Sequence, residues 1–242
     1  MDTLKPIVAF ADHITTVLDL NALRTMSAAL FDLGLSTGWP LSEQPGFSTA
    51  GIRLGNLNLE LCAVDRQYIG LDDWLTFEPT DLDTLADNLA AQNLIHDPFD
   101  RVEAGGHPIY TRVGLPELAT ETTAIQVCRT FFPTRTSGPI APANEAGITQ
   151  VLVIKVGVDA YHRDALTRLF MPRVLTGAVA FDEGPNVVIE DAPKLGVNGL
   201  VIECQDIARA HAALSHAGLN ALDEARLEVG SLILELVEQS PA

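Results

Sequence analysis

Basic residues are scarce: 15 Lys plus Arg stand against 32 Asp plus Glu in 242 residues, a formal net charge of −17 at pH 7. Nucleic acid and anionic bilayers both require basic surface, so neither is expected as a partner. Cysteine is also sparse. Cys62, Cys128 and Cys204 each lie in an apolar run, and none forms a C-x-x-C pair. That spacing excludes a sequence case for structural zinc or a redox dithiol. Three buried free thiols fit a reducing cytoplasm. No apolar run approaches the ~20 residues that span a bilayer. The start, Met1 to Pro6, lacks a basic stretch followed by a long apolar one, so no secretory signal is read there. Phosphate loops and H-E-x-x-H are missing, and Gly46-Phe47-Ser48-Thr49-Ala50 misses the G-x-S-x-G elbow at its last position.

What is present is core material and repetition. Apolar residues make up 47% of the chain and mean hydropathy is +0.19, ample for a sizeable core. Three segments share one pattern: a β-type run, an Asp at a turn, then a helical pattern that stops near Gly or Asn. They are Asp12–Leu20 continuing to Gly34, Trp74–Phe77 continuing through Asp81 to Asn93, and Gly199–Glu203 continuing through Asp206 to Gly218. Asp19, Asp81 and Asp206 read as N-caps, because a short carboxylate satisfies the free N–H groups of a first turn. A weaker fourth copy places a strand at Thr149–Ile154 and a helix from Asp159 to Phe170. Helices are therefore predicted near 20–33, 81–93, 159–170 and 206–217. Each copy closes on a strand. Gly55–Leu61 and Gly230–Leu236 are near-copies of one another, and Ala124–Val127 and Asn186–Glu190 occupy the same place. The unit is β, α, then several β-strands, repeated four times, and Thr134–Gly147 reads as a linker between halves.

The chain resembles the vicinal-oxygen-chelate superfamily and its glyoxalase-like domain proteins. The resemblance rests on Asp12-His13-Ile14, Phe31-Asp32-Leu33-Gly34, Leu54-Gly55-Asn56 with Leu59-Glu60-Leu61, and Trp74 with Thr80-Asp81-Leu82. It is sharpest over residues 7–94. It implies an α+β fold of four βαβββ modules, forming two paired, curved mixed sheets with helices on the convex side. Residues 1–133 make a first glyoxalase-like half and 148–242 a second, with shorter modules. It also implies a cleft on the concave side, whose metal ligands come from the first and last strand of each module. Carried over, those positions match His13 and Glu60, then roughly Leu75 and Gln126, then Gln150 and Glu190, then Leu200 and Glu235.

An imidazole and a carboxylate suit Mn, Fe, Co, Ni or Zn. Such an ion would polarise a substrate carbonyl while a carboxylate moves a proton. The expectation is a metal-dependent lyase or isomerase acting on a small carbonyl compound, with His13 and Glu60 as ligands and Glu60 also catalytic. Trp74, Gln126 and His107 are expected to line the substrate cleft. Leu75 and Leu200 cannot bind metal, so neither half offers two histidines and a carboxylate, which speaks against an extradiol dioxygenase. The set His13, Glu60, Gln150 and Glu190 would need the first and third modules to face each other. The alternative is a metal-free protein that sequesters a small apolar or cationic molecule, as bleomycin-resistance proteins do. The expected partner is a small-molecule ligand, with room for a homodimer.

Overall fold

The computed structural model describes residues 5–64, 71–131, 144–175 and 177–239. Alternating apolar positions in the first module bury one face of each strand. They yield β1 (Val8–Val17), α1 (Leu20–Asp32), β2 (Ser36–Gln44), β3 (Phe47–Leu54) and β4 (Leu57–Val64). The second module gives β5 (Asp73–Pro79), α2 (Leu85–Ala91), β6 (Asp100–Ala104), β7 (His107–Gly114) and β8 (Thr123–Thr130). The third gives β9 (Ile148–Val158), α3 (Ala160–Phe170), β10 (Val174–Leu175), β11 (Ala178–Val179) and β12 (Asn186–Asp191). The fourth gives β13 (Gly196–Cys204), α4 (Ile207–His216), β14 (Asn220–Ala221), β15 (Arg226–Val229) and β16 (Leu232–Glu238).

Modules pair in sequence order into two curved sheets. The first runs β2-β3-β4-β1-β5-β8-β7-β6 and the second β10-β11-β12-β9-β13-β16-β15-β14. In each, the two opening strands meet antiparallel at the centre, and each is flanked by the closing strand of its own module in parallel. The architecture is the expected α+β arrangement of four βαβββ units. Because the first module pairs with the second, Gln150 and Glu190 belong to the other sheet, away from His13 and Glu60.

Two of the three expected Asp caps form, and Asp159 supplies another. Asp19 accepts from the backbone N–H of Asn21 and Ala22, both at 2.9 Å, Asp159 from His162 at 2.9 Å, and Asp206 from Arg209 at 2.8 Å. The expectation for Asp81 is corrected. Its carboxylate closes a turn instead, accepting from the Asp83 N–H at 3.0 Å and the Thr84 hydroxyl at 3.1 Å, and α2 starts only at Leu85. An Asx turn competes with a cap for the same carboxylate.

The near-copies Gly55–Leu61 and Gly230–Leu236 are hairpin turns entering β4 and β16, and each docks on the other half. Asn56 brackets β9 through Val151, accepting from its N–H at 2.8 Å and donating to its carbonyl at 3.0 Å. Ser231 donates its hydroxyl to Asp73 on β5. Gly55 and Gly230 have φ of +70° and +58°, and a Cβ on either would meet atoms of the opposite half at 2.2 Å. Between the sheets, Phe77 of β5 meets Phe170 of α3 edge-on at 5.1 Å, with Phe181 beside both. Of the expected linker, 134–143 lies outside the described residues. Its end is packed: Asn144 is buried and closes a ring with Ile148.

Candidate functional site

On the first sheet the leucines of β4 alternate inward. Leu57, Leu59 and Leu61 are buried in the core, so Asn58 and Glu60 take the opposite, concave face. Parallel pairing sets Asn58 beside His13 and Glu60 beside Thr15 on β1. Antiparallel pairing sets Thr76 of β5 opposite His13 and Trp74 opposite Thr15. His13 and Glu60 are thus brought together, with His13 Nε2 3.7 Å from Glu60 Oε2.

Asp12 has a part that the sequence pattern did not assign. Neighbours on a regular strand point to opposite faces, yet Asp12 Oδ2 lies 2.8 Å from His13 Nδ1. A register shift between Ala11 and His13 supplies the extra residue, a β-bulge that lets both side chains meet. A carboxylate only accepts, so Nδ1 carries the proton of this bond and Nε2 is turned toward Glu60. Glu60 is held from two more sides. The Thr15 hydroxyl donates to Oε2 at 2.6 Å and the Thr49 hydroxyl to Oε1 at 2.5 Å. Thr49 in turn accepts from Trp39 Nε1 at 3.1 Å. Trp39 covers Gly51, where any Cβ would strike its ring at 2.4 Å, and packs T-shaped with the His13 imidazole, ring centres 5.8 Å apart.

Electrostatics follow from this crowding. Burial pushes the His13 imidazole down, but the Asp12 hydrogen bond and the negative charges of Asp12, Glu60 and Glu78 outweigh it, so its pKa lies above the ordinary 6.5. Glu78 is itself ion-paired with Arg129. Burial pushes the Cys128 thiol up to about 12, which makes it inert as a nucleophile. Asn58 is 3% exposed, and its Oδ1 has no hydrogen-bond partner. That oxygen lies beneath Gly38, where a Cβ would come within 2.8 Å of it, and is a buried acceptor without a partner.

The other expected residues are placed as follows. Gln126 sits on β8 opposite Thr76 and donates to its hydroxyl at 2.8 Å. Trp74 is half-buried on the same strand face as Thr76. His107 is exposed in the β6–β7 hairpin, at the outer edge of the sheet, and does not join His13. Leu75 and Leu200 are core residues at 0% and 1% exposure, and the concave position on β5 belongs to Thr76. In the second sheet Gln150 bonds Glu203 at 3.1 Å and Glu235 pairs with Lys155 at 2.5 Å, while Glu190 is exposed. The sequence reading missed Asp12, Thr15, Trp39, Thr49 and Asn58. The signal available for Thr15 and Asn58 was their period-2 spacing from His13 and Glu60. A separate surface cavity of about 820 Å³ lies by α4 and is lined by Asp206, His211, Leu222, Asp223 and Glu238 among others. Two of its carboxylates are engaged, Asp206 as a helix cap and Asp223 with Arg226.

No protein-family model matches the sequence, and no curated protein sequence matches it. Solved structures do match. A hypothetical protein from Staphylococcus aureus aligns at TM-score 0.60 and 9% identity, covering 95% of this chain and 99% of that one. A mutant of 4-hydroxymandelate synthase from Streptomyces coelicolor aligns at 0.55 and 13%, covering 97% and 93%. A xylose isomerase-like TIM barrel/4-hydroxyphenylpyruvate dioxygenase fusion protein aligns at 0.62 and 12%, covering 98% of this chain and half of that one. The chain has the vicinal-oxygen-chelate fold. Within that fold, the two donors expected for an ion, His13 and Glu60, meet, but no third charged or imidazole donor joins them among the described residues. An ion beside His13 Nε2 would meet Glu60, but Asp12 is on the Nδ1 side and Thr76 and Gln126 are neutral partners of each other. Among the described residues no group of three or more His, Cys, Asp or Glu side chains converges as a ligand set. The residues present do not fit the metal that the resemblance implied.

Proposed function

We propose that the concave face around His13 is a small-molecule site, and that His13 and Glu60 transfer a proton on a small carbonyl compound, as a lyase or isomerase would. One observation carries this reading: an imidazole whose Nδ1 is fixed by Asp12 presents Nε2 at 3.7 Å from a carboxylate that two threonine hydroxyls hold in place. A positioned imidazole is the usual general acid–base, contributing about 10²–10⁴-fold. In this reading Nε2 takes a proton next to the carbonyl and returns it to the neighbouring carbon or oxygen, and Glu60 steadies the imidazolium. Trp39 forms an apolar wall beside His13.

A second reading is favoured by that same aromatic wall: a sequestering protein that binds without turnover. Both belong to the cytoplasm, consistent with three free buried cysteines. Among the described residues no helix is long and apolar enough to cross a membrane. The experiment is proton exchange in D₂O, followed by NMR, over a panel of small 2-oxo and 2-hydroxycarbonyl compounds. Exchange next to the carbonyl, lowered at least about 100-fold in His13→Gln, is the expected result. Saturable binding with no exchange in the wild type would establish sequestration instead.

A further inference from the structure

We infer that the polar centre of the first sheet operates without a metal ion, and that Thr76 and Gln126 are the two residues that keep it so. The inference rests on the site placement above but not on turnover. Observations on separate strands bear on it. On β1, the bulge turns Asp12 onto Nδ1 of His13, so the nearest second carboxylate is on the wrong side of the ring for an ion at Nε2. On β4, both oxygens of Glu60 accept short bonds from threonine hydroxyls, 2.6 Å from Thr15 and 2.5 Å from Thr49. These bonds fix the orientation of Glu60, which is the carboxylate facing Nε2. On β5 and β8, the positions opposite His13 are filled by a hydroxyl and an amide bonded to each other at 2.8 Å. Neither group is an anionic or imidazole donor of the kind that binds first-row divalent ions tightly. What remains for an ion is one imidazole nitrogen, one carboxylate and the neutral Gln126 carbonyl, short of two histidines and one carboxylate.

The same geometry says what would reverse the situation. Thr76 is the cross-strand partner of His13, and Gln126 is the partner of Thr76 on the other side. Imidazole at the first and carboxylate at the second would, with His13 and Glu60, set two histidines and two carboxylates on four adjacent strands. The natural residues put a hydrogen bond where those ligands would stand.

The test uses the whole chain, purified without a histidine tag and stripped with chelator. Zn²⁺, Mn²⁺ and Co²⁺ are titrated separately, followed by calorimetry, by metal retained after desalting, and by the visible spectrum of the Co²⁺ form. The wild type is expected to retain far less than one equivalent and to show only the aquo-ion Co²⁺ spectrum. The double variant Thr76→His with Gln126→Glu is expected to retain one equivalent, with affinity at least about 100-fold above the wild type, since a residue that binds the ion directly is worth no less than one that only orients a ligand, about 10-fold each. One equivalent in the wild type that is lost in His13→Ala overturns the inference. A double variant that melts like the wild type yet binds no ion overturns the assignment to Thr76 and Gln126. Neither outcome bears on the proton-exchange experiment, so this inference and the proposed function fail separately.

Discussion

Asp73 shows what a single buried carboxylate costs. It is 0% exposed, accepts from the Ser231 hydroxyl of the other half, and its Oδ2 has no hydrogen bond. Burial pushes its pKa up to about 6 from 3.8, and the Ser231 bond and the charge of Lys194 offset only part of that. A folded-state value above the unfolded one means the folded state binds the proton more tightly. The resulting stabilisation is fully present below pH 3.8 and is lost as pH rises through about 6. Two units correspond to about 3 kcal/mol. Asp73→Asn keeps the acceptor for Ser231 and removes the charge. Urea melts at pH 4 and pH 8 should show the variant gaining on the wild type at pH 8, by up to that amount, and not at pH 4. A variant with the wild-type pH slope would show that Asp73 is not the group responsible. At the site itself, Glu60→Gln should leave the melting temperature within a few degrees but abolish proton exchange, because the shape is kept and one acceptor charge is lost.

At the scale of elements, the two docking hairpins invite a matched comparison. Gly230 and Gly105 both sit at left-handed φ, +58° and +59°, in turns between antiparallel strands. A Cβ on Gly105 meets nothing within 4 Å, whereas one on Gly230 falls 2.2 Å from Thr16 Oγ1. Gly105→Ala should therefore cost only the conformational penalty, about 1 kcal/mol. Gly230→Ala should cost that plus the displacement of a packed hairpin, a further ~1–3 kcal/mol. Equal losses in thermal melts would mean that the hairpin yields freely. Among helices, α2 is the exception because Asp81 spends its carboxylate on a turn. Asp206→Ala should cost about 1 kcal/mol through loss of the α4 cap, and Asp81→Ala less, since no helix N–H depends on it.

For the whole molecule, the decisive contact is aromatic. Phe170 belongs to the second half and is buried against Phe77 of the first. Phe170→Ala should destabilise by about 3–5 kcal/mol. Both tryptophans, Trp39 and Trp74, lie in the first half, so their fluorescence reports unfolding of a sheet that the substitution does not belong to. If the halves share one core, fluorescence and far-UV circular dichroism should shift together to lower urea. A fluorescence transition unmoved by Phe170→Ala would mean that the halves unfold independently.

The strand-helix-strand repeat was legible because its causes are local. Alternating leucines mark β4 and β16, short carboxylates mark three helix starts, and glycines mark the turns. His13 and Glu60 could be nominated for the same reason, through their place in copies of one unit. What the sequence could not reveal depends on contacts between strands that are distant along the chain. Register made Thr76, and not Leu75, the concave residue opposite His13, because a one-residue shift exchanges the two faces of a strand. A bulge, invisible to a period-2 pattern, brought Asp12 to the imidazole. Sheet order separated Gln150 and Glu190 from His13 by pairing the first module with the second. The repeat fixed which residues could carry chemistry. The pairing of strands decided which of them meet, since hydrogen-bond register across a sheet is set by the whole packed core and not by any one segment.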